Sequence, residues 1–215
     1  MKITKLGHCA LLVEEGKARL LTDPGMFTSE KHISLTGLTA VLYTHDHADH
    51  FHLQSLRIVL KNNPKCRVIC NSSVASILEK ESIPHEIIDD GKSIDVNGVA
   101  IDGHGMHHAT IHESQPAIQN TGLMIGGRLW YPGDALDVDP GVKPDIMALP
   151  IAGPWMKLSE ALDYAIKLQP KSTFPVHDMI LSELGNGGHQ RIATSVLETH
   201  GVRLFAIELD REYEF

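Results

Sequence analysis

The feature that most constrains this chain is Thr44-His45-Asp46-His47-Ala48-Asp49-His50, an HxHxDH pattern that starts where a short apolar run, Thr39 to Tyr43, stops. A run of that length and character reads as a buried strand, so the histidines and aspartates sit at a strand's C-terminal end. Imidazoles packed this closely gain little from exposure to water and repel one another once protonated. A cation suits them better, because neutral histidine is the commonest metal ligand. In a turn after a strand, His45 and His47 can converge on one ion while Asp49 and His50 project toward a neighbouring one. The pattern therefore predicts two adjacent metal sites.

Four side chains in one loop do not close two sites, so further ligands must come from distant sequence. Three segments qualify, each setting a His or Asp at the end of an apolar stretch: Gly103 to His108, with His104, His107 and His108; Tyr131-Pro132-Gly133-Asp134; and Pro175-Val176-His177-Asp178. A crevice shared by several strand ends would bring them together.

The rest of the chain supplies such strands. Strands are expected at Lys2–Leu6, Ala10–Glu14, Ala18–Thr22, Arg67–Cys70, Glu86–Ile88, Ser93–Val96, Val99–Ile101, Gly122–Ile125, Arg128–Tyr131, Ile146–Leu149, Ser172–Val176 and Arg203–Glu208, with Asn97-Gly98 and Gly126-Gly127 as hairpin turns. Helices are expected at Leu53–Lys61, Ser73–Lys80, Ser159–Leu168 and Gln190–Thr199, the second and third capped by serine. Two packed sheets with helices outside account for this order. With 215 residues and no linker or repeat, a single domain over 1–215 is the expectation.

Composition narrows the function. A net charge of −8 argues against a nucleic-acid surface, which would cluster Lys and Arg. A small-molecule substrate is expected instead. No apolar run is long enough to cross a bilayer, and Met1 to Leu6 lacks a signal peptide's layout, so a cytoplasmic location is the expectation. Cys9, Cys66 and Cys70 are odd in number and form no CxxC pair, and they read as buried structural thiols. Association into a homo-oligomer is compatible with all of this.

Taken in order, Leu6-Gly7-His8, Leu21 to Gly25, Thr44 to His50, Gly105 to His112, Trp130 to Asp134, Leu149 to Trp155 and Pro175 to Asp178 resemble the metallo-β-lactamase superfamily. The likeness is to its small bacterial branch, which includes ascorbate-6-phosphate lactonase-like proteins. The resemblance implies an α/β, four-layer αββα sandwich carrying two divalent metal ions, zinc first, with manganese or iron as alternatives. It implies that His45, His47 and a third histidine, taken as His108 ahead of His107, hold one ion. Asp49, His50 and His177 would hold the other, with Asp134 bridging, and Asp23 would support the ligand loop by hydrogen bonding. His8, His112, Trp155, Met156, Lys157 and His189 fall in loops that it would place around the pocket mouth.

The expected chemistry is hydrolysis. A water shared by two divalent ions has its pKa lowered from about 15.7 toward 7, and the resulting bridging hydroxide would attack an ester, lactone or phosphoester. Asp49 would act catalytically by orienting the nucleophile or moving its proton. The same residues leave open an iron-dependent oxidoreductase of the persulfide-dioxygenase kind and a non-catalytic metal-binding protein.

Overall fold

The computed structural model describes residues 1–215 and contains two mixed seven-stranded sheets packed face to face with helices outside. The first sheet begins with β1 (Lys2–Lys5), β2 (Leu11–Glu15) and β3 (Ala18–Thr22), which are antiparallel. It continues parallel to β3 through β4 (Ala40–Tyr43), β5 (Arg67–Cys70) and β6 (Glu86–Ile87). The second sheet starts with the antiparallel strands β7 (Ser93–Val96), β8 (Val99–His104), β9 (Gly122–Ile125) and β10 (Leu129–Tyr131). Parallel to β10 follow β11 (Ile146–Pro150), β12 (Ser172–Val176) and β13 (Arg203–Leu204). A last strand, β14 (Glu212–Glu214), pairs with β1 at the outer edge of the first sheet.

The central strands of each sheet are covered on both faces, which explains why β4, β9, β10 and β11 read as unbroken apolar runs rather than alternating ones. Along β2, Leu11 and Val13 join the core between the sheets while Leu12 faces outward. In β4 Leu42 points inward, and Val41 and Tyr43 point outward. The outward set packs under α1 (Leu53–Asn62) and α2 (Ser72–Lys80) through Leu56, Val59, Val74 and Leu78. On the far side Met124, Trp130, Met147 and Leu149 lie under α3 (Leu158–Leu168) and α4 (Glu183–Thr199), against Ala161, Leu162, Ala165, Ala193 and Leu197. The order of layers is αββα.

Helix ends depart from the sequence expectation where a cap or tertiary contact outweighs propensity. Helix α4 starts seven residues before the expected Gln190, because Ser182 Oγ accepts the Gly185 N–H and nucleates a turn through the glycine-rich stretch. Asn71, not a serine, caps α2, and α3 starts beside Lys157, whose N–H donates to the Glu160 carboxylate. The expected strand over Arg203–Glu208 keeps only Arg203–Leu204, and the polar β14 carried no readable signal.

Candidate metal centre

Every implied ligand lies at one end of the sandwich. Strand β4 delivers Thr44 to His50, β10 leads to Asp134, β12 to His177, and the segment after β8 carries His108. Parallel pairing of β3 with β4, Thr22 beside Leu42, puts Asp23 next to Thr44. Asp23 is fully buried at φ +38, a left-handed conformation that L-residues seldom adopt. Its Oδ1 accepts the Thr44 N–H at 2.8 Å. Its Oδ2 accepts from Thr44 Oγ1 at 2.6 Å and His50 Nδ1 at 2.8 Å, and it shares the one hydrogen of Tyr131 OH, 3.0 Å away, with the Cys9 carbonyl at 2.7 Å. One carboxylate thus ties the loop to both sheets. Gly25 packs so closely on the Asp49–His50 backbone that a Cβ there would overlap it.

The neighbours of each ring determine its tautomer. Thr44 Oγ1 spends its only hydrogen on Asp23, so the 3.0 Å contact with His45 Nδ1 requires that nitrogen to donate. His50 Nδ1 donates to Asp23, His108 Nδ1 to the Ala109 carbonyl at 2.5 Å, and His177 Nδ1 to the Ala152 carbonyl at 2.6 Å. In its neutral form each of these four rings would therefore turn an Nε2 lone pair inward, the arrangement that orients histidines on a metal. His47 brings its Nδ1 to 3.2 Å from His45 Nε2.

These lone pairs converge on Asp134. Its Oδ1 lies 3.1 Å from His50 Nε2, and its Oδ2 lies 3.0 Å from His177 Nε2, 3.3 Å from His108 Nε2 and 3.9 Å from His45 Nε2. Asp49 Oδ2 lies 3.4 Å from His177 Nε2. His108 Nε2, His177 Nε2 and Asp134 Oδ1 are buried yet have no aligned hydrogen-bond partner. Acceptors facing acceptors at such distances need positive charge between them. Adjacent ligands on one tetrahedral zinc, with Zn–N near 2.0–2.1 Å, stand about 3.3–3.4 Å apart. The donor set therefore fits metal: of the four clusters in which ligand atoms gather closely enough, two match the implied sites, His45, His47, His108 and Asp134, and Asp49, His50 and His177.

Protons satisfy the same geometry when they are the only cations. Burial pulls His177 down, but the Asp134 charge together with hydrogen bonds to Asp134 and Asp49 outweighs it and lifts the ring to about 11. His50 is likewise penalised by burial yet raised well above its ordinary value by the Asp134 charge and by hydrogen bonds to Asp134 and Asp23. Burial raises Asp134, but the His50 and His177 charges hold it well below the usual carboxylate range. In Asp49 the donors His177 and His8 outweigh burial and lower it. Burial, reinforced by the His50 charge, keeps His45 well below 6.5.

The structure separates residues that the sequence grouped together. His108 turns inward, whereas His107 is exposed on a cavity wall and His104 sits edge-on to Trp130. That cavity, about 400 Å³, adjoins His47 and His108 and includes His112. A smaller one of about 260 Å³ shares His108 and is lined by Trp155. Met156 packs under α3, Lys157 is exposed, and His189 Nδ1 bonds the Ile151 carbonyl. Cys9 is buried as expected, but it lies in the site, with Sγ 3.3 Å from His50 Nε2, and burial pushes its thiol up. Sequence reasoning missed the buried Lys5–Asp178 ion pair, 2.6 Å, which anchors the residue after His177. A lysine inside a strand otherwise reads as exposed. It also missed the brace from Tyr131, whose hydroxyl is unremarkable in a strand pattern.

The sequence model described as "Beta-lactamase superfamily domain" matches residues 2–177. Protein Rv0786c of Mycobacterium tuberculosis is 37% identical over 87% of this chain and 88% of its own length. A UPF0173 metal-dependent hydrolase of Methanosarcina mazei is 28% identical over 82% of this chain and 83% of its own. Among solved structures, Igni18, a metallo hydrolase from Ignicoccus hospitalis, superposes with a TM-score of 0.78 at 19% identity. That match covers 100% of this chain and 98% of the other and shows a shared fold.

Proposed function

Because the chain belongs to the β-lactamase superfamily domain family, we propose that it is a metal-dependent hydrolase of a small molecule, working with two divalent ions, zinc first. The observation that carries this reading is the convergence of three buried imidazole Nε2 atoms, those of His50, His108 and His177, on the buried Asp134 carboxylate at 3.0–3.3 Å. We assign His45, His47 and His108 to one ion, Asp49, His50 and His177 to the other, and Asp134 to both.

Bound there, divalent ions supply Lewis acidity and lower the pKa of a shared water toward about 7. The chain's own residues hold and shield that chemistry. Asp134 is almost fully buried, so its charge acts at low dielectric. Asp49 is a quarter exposed, the more open of the two carboxylates, and we assign it to orient the attacking water and accept its proton. Trp155, edge-on to both the His108 and His177 rings, packs against these two ligands and forms a wall of the smaller cavity.

The two cavities point to a neutral acyl compound, an ester or lactone, ahead of a phosphoester. Their linings hold Ile111, Ile118, Leu136 and Trp155 together with the carboxylates of Glu113, Asp137 and Glu160, and neither includes a Lys or Arg. A phosphate group would meet negative charge there and no guanidinium fork. A phosphorylated lactone of the ascorbate-6-phosphate kind is for that reason the less favoured substrate.

Metal analysis of the purified protein, coupled to esterase, lactonase and phosphodiesterase assays on the same sample, tests the proposal. About two zinc or manganese ions per chain, with turnover lost to chelator and restored by metal, is the expected result. No bound metal, or one iron with oxygen uptake on a thiol substrate, would refute it.

A further inference from the structure

His8 has the tautomer opposite to that of His45, His50, His108 and His177, whose Nδ1 atoms all donate. Its Nδ1 accepts the Met179 N–H at 3.1 Å, and a backbone N–H can only donate. In the neutral ring the hydrogen must then sit on Nε2, which points into the site; His8, Cys9 and His177 are close enough together to hold an ion, but that hydrogen keeps His8 Nε2 from being a ligand. The side chain is fully buried, and this Nε2–H has no aligned acceptor. Asp49 Oδ2 faces it at 3.5 Å, the limit of a hydrogen bond.

Its surroundings hold the ring in place. The His8 carbonyl accepts the His177 N–H at 2.8 Å, and the His8 N–H donates to the Phe27 carbonyl at 3.1 Å. Its ring lies 4.0 Å from that of His177 and edge-on to Phe27 at 5.7 Å. An oriented, buried donor left without a committed acceptor is costly unless an acceptor in the site uses it.

We propose that His8 is a positioning residue whose Nε2–H holds Asp49 in its working orientation through Oδ2. The carboxylate is thereby held between His8 and His177, and its approach to the second ion is set by the β1–β2 turn. This rests on the assignment of Asp49 to that ion. The role is orientation by a neutral donor, with no proton transferred.

Two amide substitutions separate this role from a structural one. In His8→Gln the amide nitrogen reaches about as far as imidazole Nε2 and can still donate to Asp49. In His8→Asn the amide reaches only as far as Nδ1, so its oxygen can keep the Met179 contact while the Asp49 donor is lost. Chelator competition with zinc, and the visible spectrum of the cobalt-loaded protein, would be read for wild type and both variants.

His8→Gln should hold the second ion within about threefold of wild type, while His8→Asn should weaken it about tenfold or more and alter the cobalt spectrum, the size seen when such supporting contacts are lost. Any pattern in which glutamine does not outperform asparagine overturns the proposal. Long-range ¹H–¹⁵N NMR of the histidine rings gives a reading that needs no metal. His8 should appear as the Nε2–H tautomer, and its Nε2–H resonance should move in Asp49→Asn. An Nδ1–H tautomer, or no response, overturns the proposal. Failure of wild type to bind a second ion would instead count against the two-metal function, with the NMR arm still deciding the role of His8.

Discussion

Asp23→Asn tests how the ligand loop is held. The carboxylate accepts four hydrogen bonds, one at Oδ1 and three at Oδ2, of which the Tyr131 bond is shared with the Cys9 carbonyl. An amide keeps one oxygen and presents an NH2 in place of the other. In the cheaper orientation the NH2 faces the Thr44 N–H, leaving a buried donor unpaired at about 1–3 kcal/mol. The three remaining bonds lose their charge assistance, about 1 kcal/mol each before allowing for the easier burial of a neutral group. The expected net loss is about 3 kcal/mol of a total near 5–15 kcal/mol, so the variant should fold but melt early. His50 Nδ1 loses its charged acceptor as well, and metal affinity should fall about 10- to 100-fold. Urea unfolding of the metal-free protein reads the first quantity and chelator competition the second. A stability change below about 1 kcal/mol with unaltered metal binding would refute the view that Asp23 organises the site.

Metal loading should release about two protons per chain near neutral pH, because the raised His50 and His177 must give up their protons to bind. Affinity should therefore climb with pH toward the folded value of about 11 for His177, while the stability that its proton gives the metal-free fold is present below about 6.5 and lost over the same climb. Calorimetry in two buffers of different ionisation enthalpy checks the count, and equal heats would contradict it. Lys5→Met strands the buried Asp178 carboxylate and should cost about 3–5 kcal/mol, with Lys5→Met/Asp178→Leu recovering much of it in urea unfolding; a double variant no better than the single would sink that account. Gly25→Ala pushes a methyl into the Asp49–His50 backbone, so chelator competition should show the second ion weakened more than the first, and uniform weakening would argue against a local effect. Asp134→Ala should lower metal content at both positions with the fold largely retained, and full occupancy on metal analysis would contradict its shared role.

The HxHxDH cluster after an apolar strand was legible because strand ends and ligand spacing are local properties of the chain. So was the two-sided burial of the sheets' central strands, since a strand covered on both faces must be apolar at every position, as Leu11-Leu12-Val13 is. The distant residues His108, Asp134 and His177 could be nominated only as strand-end His and Asp, and His108 could be separated from His107 only by resemblance. Pattern alone left them equivalent, because which of two adjacent side chains turns inward depends on the backbone path of a 17-residue connection between β8 and β9. Tautomers lie still further from sequence. Whether a histidine offers a lone pair or a hydrogen is decided by one atom contributed from far along the chain: the Ala152 carbonyl for His177, the Met179 amide for His8. The sequence by itself thus determined the layered architecture and the kind of chemistry. Tertiary structure decided which imidazoles can face a metal and which one faces it with a proton, because only folding sets a hydrogen-bond donor or acceptor against each ring.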